Sequence, residues 1–230
     1  MCQCANSFIT FNFSLLIFNF QFMKLQDLTL KQFIEKTAGN GAIPGGGSSS
    51  ALNAAIASAL TEMMANLTVG KKNYADEEEQ MKKIAEEMGE SRMQFINDID
   101  RDADAYSSVM EAYRLPKETD EQKAVRSEKI QEAMKGASLV PMDVAERAYK
   151  MFDTIIETVR KGNKNAVTDG MVGLMACRTA IMGALLNVRI NLSGIHDPFF
   201  VEELKDKCDR IEKEILTREN QMIEWVKSVI

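Results

Sequence analysis

The segment from Val167 to Leu192 limits the possible folds more than any other, because it is apolar almost throughout and carries only Asp169, Arg178 and Arg189 as charges. A helix of that composition has to be covered nearly all round, by other helices or by lipid. Arg178 in mid-segment, the many small residues and the charged sequence on both sides argue against a membrane span. The small residues are themselves ordered. Gly170, Gly173, Cys177, Ala180, Ala184, Asn187 and Asn191 recur at alternating steps of three and four, which lines them along one helical face. A complementary face lies upstream at Ala51, Ala54, Ala55, Ser58 and Ala59. The spacing therefore predicts a buried central helix that packs closely against the 48–60 helix, or against its own copy in a second subunit.

The remaining sequence reads as helical almost everywhere, with only four prolines and few alternating β-type runs. Thr29-x-x-Gln32 has the form of a capping box that opens a short helix ending near Gly39. A turn follows, then an alanine-rich helix to about Thr68 with Gly70 as its C-cap. Apolar residues at Met81, Ile84, Met88, Phe95, Ile99, Ala103, Tyr106, Met110 and Tyr113 predict one long helix over about 76–113. Leu115-Pro116 ends it. Pro141 predicts a break between a helix over about 120–140 and another over 141–160, which Gly162-Asn163 stops. A charged, heptad-like helix over about 199–229 closes the chain. Helices of this length joined by short loops predict an all-α multi-helix bundle.

At 230 residues the chain is long enough for one substantial domain. Its net charge of -6 is well mixed, which removes nucleic acid and an anionic membrane surface as expected partners. Cys2, Cys4, Cys177 and Cys208 have no framework or zinc-site spacing, so the expectation is a reducing, cytoplasmic compartment and no metal. Residues 1–22 stand apart: they hold six of the eleven phenylalanines and no charge. They fit neither a signal peptide nor a spanning helix. The change of composition predicts that Met23 is the physiological start, that 1–22 is a non-native or disordered apolar extension, and that 23–230 forms a single domain. An interfacial anchor is the alternative reading of 1–22.

Chemistry-bearing positions are few. No triad, phosphate loop, dinucleotide fingerprint or paired metal-ligand spacing occurs. Ile43-Pro44-Gly45-Gly46-Gly47-Ser48-Ser49-Ser50 is a glycine turn feeding a helix, with a serine run to supply the N-cap. Free amides at such a start favour an anionic or carbonyl-bearing ligand. Asp102 lies three residues after Ile99 and four before Tyr106, at the edge of an apolar face, where a carboxylate needs partners or a raised pKa. Asp169 is the second carboxylate on an apolar segment, with an N-cap or first-turn role as the alternative. His196 sits in a loop beside Asp197 and Pro198 and reads as a surface or capping residue.

Six strings, taken together, resemble the cyclodeaminase/cyclohydrolase family, the C-terminal domain of formiminotransferase-cyclodeaminase and its free-standing bacterial relatives. They are Pro44-Gly45-Gly46-Gly47-Ser48, Val69-Gly70-Lys71-Lys72-Asn73-Tyr74, Asp102-Ala103-Asp104-Ala105-Tyr106, Arg114-Leu115-Pro116-Lys117, Gly162-Asn163 with Asp169, and Asn187-Val188-Arg189-Ile190-Asn191-Leu192. The resemblance runs in order from about Leu25 to the C-terminus and excludes 1–22. It implies an all-helical, dimeric folate enzyme with its site near the subunit contact. The implied reaction is ring closure of 5-formimidoyltetrahydrofolate to 5,10-methenyltetrahydrofolate with loss of ammonia, or hydrolysis of the methenyl bridge to 10-formyltetrahydrofolate. No cofactor beyond the tetrahydrofolate substrate is implied. Asp102 and Asp169 are the expected acid–base pair, with a hold on the pterin edge as the alternative role for one of them. Pro44, Gly45, Gly46, Gly47, Ser48, Asn163, Asn187 and Asn191 are the expected substrate contacts, with Lys71, Lys72 and Lys117 for glutamate carboxylates.

Overall fold

Reciprocal caps set two of the helix starts. Thr29 accepts from the Gln32 amide while the Gln32 side chain returns to the Thr29 amide, and Thr119 and Gln122 repeat the device. In the computed structural model, which describes residues 23–230, these caps open α1 (Leu30–Thr37) and α4 (Asp120–Lys161). The other helices are α2 (Gly46–Thr68), α3 (Glu78–Arg114), α5 (Val167–Leu192) and α6 (Pro198–Val229). Short 3-10 turns stand at Leu25–Asp27, Lys72–Glu77 and Lys164–Ala166. No strand occurs among the described residues, so the all-α expectation holds. The expectations for 1–22 lie outside the described residues.

Consecutive long helices alternate in direction. Glu62 of α2 pairs with Arg92 of α3, while Gly47 at the start of α2 meets Asp102 further along α3. Across α5, Gly183 faces Ser50 and Gly170 faces Met64. The Cys177 thiol donates to the Ala148 carbonyl of α4, and Arg178 reaches Glu219 of α6. Thus α2, α4 and α6 pack against α5 on three sides. The small-residue face receives α2 of the same chain: a Cβ at Gly170 would stand 2.5 Å from the Met64 sulfur, and one at Gly173 would stand 3.2 Å from Leu60 Cβ. Leu174, Ile181, Leu185 and Val188 are wholly buried on the remaining core face. Truncating one of these leucines to alanine costs about 2–5 kcal/mol.

Two expectations need correction. First, α5 is not covered all round. Val172, Met175, Leu186 and Ile190 face outward, with Leu186 at 60% and Ile190 at 68% exposure. Three helices cannot close the circumference of a fourth, and the open side continues onto α2 at Ile56, Met63 and Leu67. Second, Pro141 does not break the chain into two helices, because α4 runs unbroken from Asp120 to Lys161. Proline lacks the N–H that would bond the carbonyl four residues back, here that of Ala137. Asn191 of α5 donates its Nδ2 to that same carbonyl at 2.8 Å. A neighbouring helix thus satisfies the acceptor that the proline orphans, and the helix continues.

Candidate active site

Close approach of α2 to α3 creates the first cluster. The Ile43–Pro44 peptide is cis, Pro44 is buried, and Gly45 is the N-cap of α2 in extended conformation. The serine run therefore does not cap the helix, as its sequence suggested, but forms its first turns. Ser49 and Ser50 hydroxyls donate back to the carbonyls of Gly45 and Gly46 at 2.8 and 2.7 Å. Ser48 turns instead toward α3, where its hydroxyl lies 3.0 Å from both the Ile99 carbonyl and Asp102 Oδ2. Asp102 leans directly over Gly47: an added Cβ there would stand 1.9 Å from Asp102 Oδ1. Any side chain at that position would have to displace the carboxylate.

This contact changes the meaning of the glycine turn. Free amides at the start of α2 attract an anion, and the chain supplies a carboxyl of its own there, since Asp102 stands over Gly47 and bonds the Ser48 hydroxyl. Burial raises the pKa of Asp102 above the ordinary aspartate value, opposed by the Ser48 hydroxyl and amide. Asn187 of α5 completes the cluster. Its Nδ2 donates to the Gly183 carbonyl at 2.8 Å, and a Cβ at Gly46 would stand 3.0 Å from that same nitrogen. Asn191, one turn further on, is directed at Ala137 rather than into this cluster.

The second cluster forms at the opposite end of the bundle. Lys71, Lys72, Asn73, Tyr74, Asn163, Lys164 and Asn165 line an open cavity of about 460 Å³ with no carboxylate in its wall. Its frame is rigid: the Asn163 amide nitrogen donates to the Leu67 carbonyl, its backbone N–H donates to Thr68 Oγ1, and the Lys164 N–H donates to the Tyr74 hydroxyl. The Asn163 side chain is thereby committed to holding the loop. Asp169 occupies the first turn of α5, half-buried and without a side-chain hydrogen bond among the described residues. Along α5 it stands about 27 Å from Asn187 at roughly 1.5 Å of rise per residue. One chain therefore does not bring Asp102 and Asp169 together. Lys117, exposed at the α3–α4 tip, joins neither cluster; about 20 Å of helix separates that tip from Asp102.

Comparisons with known proteins fit this geometry. The family model described as formiminotransferase-cyclodeaminase matches residues 29–210. The chain belongs to that family. It is 35% identical to the methenyltetrahydrofolate cyclohydrolase of Methylorubrum extorquens over 202 residues, covering 88% of this chain and 97% of that one. It is 30% identical to the mouse formimidoyltransferase-cyclodeaminase over 84% of this chain but only 36% of the longer mouse protein. The crystal structure of formiminotetrahydrofolate cyclodeaminase from Thermotoga maritima superposes with a TM-score of 0.80 at 29% identity, covering 90% of this chain and 99% of that one. The clusters described above thus lie on a scaffold that this family shares.

Sequence reasoning missed one group beside the first cluster. Asp98, one turn before Asp102 on α3, is buried and paired with Arg147 of α4. Arg101 bonds both Asp98 at 3.1 Å and Asp143 at 2.6 Å, and Arg147 also reaches Asp143. Arg147 stacks 4.8 Å from the Phe95 ring centre. The two arginines hold the carboxyl of Asp143 below its ordinary pKa, against the effect of burial. Removing one member of such a buried pair costs about 3–5 kcal/mol, which makes this network a clamp between α3 and α4. Its signal was present: Asp98 falls three residues after Phe95 and one before Ile99, on the same apolar edge that drew attention to Asp102.

Proposed function

We propose that this protein is a folate one-carbon enzyme acting at the carbon between N5 and N10 of tetrahydrofolate, with 5-formimidoyltetrahydrofolate cyclodeaminase as the first reading. The observation that carries it is the desolvated Asp102 fixed over Gly47, a carboxyl whose raised pKa suits proton exchange. As N10 attacks the formimidoyl carbon, Asp102 takes the N10 proton and returns it to the former imine nitrogen. That nitrogen takes a second proton from solvent and leaves as ammonia when its bond to carbon breaks, and the methenyl cation remains. Family membership and the folate names of the relatives support the substrate class.

The Methylorubrum relative, matched over nearly its whole length, favours a second reading as methenyltetrahydrofolate cyclohydrolase. The same carboxyl then takes a proton from water as it adds to the methenyl carbon and passes it to N5, whose bond to carbon breaks as the carbinol hydroxyl releases its proton to solvent and becomes the formyl oxygen. One assay separates the readings. Purified protein with 5-formimidoyltetrahydrofolate should raise methenyl absorbance and release ammonia in equal amounts. If it instead only accelerates loss of methenyl absorbance from 5,10-methenyltetrahydrofolate, the hydrolase reading replaces the first.

The working unit in this proposal is a symmetric dimer. The outward apolar row on α2 and α5 supports it, because two copies joined there about a perpendicular two-fold axis would cover Leu186 and Ile190. Such pairing sets the Asp102 end of one chain beside the Asp169 and Lys71 end of the other. Asp169 then acts as second acid–base group or pterin anchor, and Lys71, Lys72 and Lys164 receive the glutamate carboxylates. Light scattering should give twice the chain mass; an active monomer would defeat the shared site.

A further inference from the structure

We propose that Ser48 is a positioning residue whose hydroxyl follows the protonation state of Asp102, so that the carboxyl takes up and releases a proton without movement of any heavy atom. The geometry is specific. The Ser48 hydroxyl is wholly buried and has one hydrogen, yet two acceptors, the Ile99 carbonyl and Asp102 Oδ2, each lie 3.0 Å away. With Asp102 ionised, the hydrogen points to Oδ2 and stabilises the charge. When Asp102 gains a proton, the hydroxyl hydrogen rotates to the Ile99 carbonyl, and an oxygen lone pair then faces Oδ2 to accept the new carboxyl O–H. Both states keep the buried Ser48 hydroxyl and the half-buried Asp102 Oδ2 hydrogen-bonded, and unsatisfied polar groups are what proton transfer in a partly desolvated site must avoid.

The neighbouring charges leave this task to the hydroxyl. From Gly46 to Thr61, α2 carries no charged residue. On α3, Asp98 and Arg101 are held in the network with Arg147 and Asp143 of α4, and Asp100 accepts from the amides of Leu25 and Gln26, in a turn that also carries Asp27. Arg189 of α5 faces Asp209 and Glu212 of α6. Asp104, two residues on, shares no bond with Asp102 among the described residues.

The effect on the carboxyl does not depend on the folate reading; its effect on turnover rests on that reading. The test is titration of the Asp102 carboxyl carbon by NMR in the unliganded full chain, with aspartate labelled at that carbon and Asp102→Asn to assign the signal. Ser48→Ala should raise the Asp102 pKa by about one unit, a tenfold gain in proton affinity. Ser48→Cys, a weaker donor, should raise it less. Ser58→Ala removes another buried hydroxyl, bonded to the Ala54 carbonyl, and should leave the titration in place. An unchanged Asp102 titration in folded Ser48→Ala, or in Ser48→Cys should the alanine variant not fold, overturns the inference. If the titration moves while the pH–rate profile does not, the hydroxyl tunes a carboxyl that is not the proton carrier, and the link to catalysis is overturned.

Discussion

The two ends of this bundle carry opposite chemistry. At the Gly47 end a half-buried carboxylate is pressed against backbone glycine and held by a hydroxyl whose every option is a hydrogen bond. At the Lys71 end three lysines border an open cavity, and Asn163, expected as a substrate contact, fastens the loop instead. Tight packing raises a pKa and aligns a proton; an open basic wall attracts a flexible anion and tolerates its movement. The difference teaches that a packed carboxyl and an open basic wall make opposite demands on packing, and one chain holds them at opposite ends of α5, with Asn187 and Asp169 about 27 Å apart along that helix.

The largest expected break is at the packed end. Asp102→Asn should lower turnover by about 10²–10⁴-fold while the protein remains folded. Stability carries its own pH dependence: a carboxyl whose folded pKa is raised stabilises the fold at pH below its unfolded pKa and loses that contribution as pH rises through the folded value. At neutral pH the variant should therefore melt no lower than the parent, and calorimetry across pH 4–8 reads it. Near-normal turnover would remove Asp102 from the mechanism.

The next test sharpens the separation itself. Asp102→Asn and Asp169→Asn should each be nearly inactive alone, yet mixing and refolding them together should restore roughly a quarter of parental turnover, because half the dimers are mixed and each has one intact site. No recovery would place both carboxylates outside a shared site. Smaller still is the effect at the open end, where Lys71→Ala with Lys72→Ala should raise KM about tenfold for a polyglutamylated substrate and leave kcat within twofold. Added salt should shrink that difference. Least of all, Asn191→Ala should lower Tm by about 2–4 °C through the unpaired Ala137 carbonyl and leave turnover unchanged. A loss of folate affinity there would return Asn191 to the site.

Much of the fold was legible because helix periodicity is local. The stripe from Met81 to Ala103 could be read directly, although Tyr106 and Tyr113 beyond it are exposed; the glycine face of α5 could be read too, although it meets Ser50, Ala57, Leu60 and Met64 of α2 rather than the face of Ala51, Ala54, Ala55, Ser58 and Ala59. Asp102 stood out because a carboxylate at the edge of an apolar stripe needs an explanation. The site was less legible, since its defining contacts join residues 51 and 54 positions apart, Ser48 to Ile99 and to Asp102. Asp98 escaped notice because its partner Arg147 lies on another helix. Pro141 misled for the same reason: the rule that proline ends a helix assumes an orphan carbonyl, and Asn191 supplies the missing donor from outside.

What the sequence alone determined was which residues form helices, which face of each is apolar, and where glycine permits a backbone to come close. Tertiary structure decided which faces meet and at what height along each helix. That register laid Asp102 over Gly47, moved Asp169 and the lysines to the far end, and committed Asn163 and Asn191 to backbone carbonyls. The physical reason is that a helical repeat of 3.6 residues fixes direction around an axis, whereas position along it is set by the close packing of side chains from distant segments.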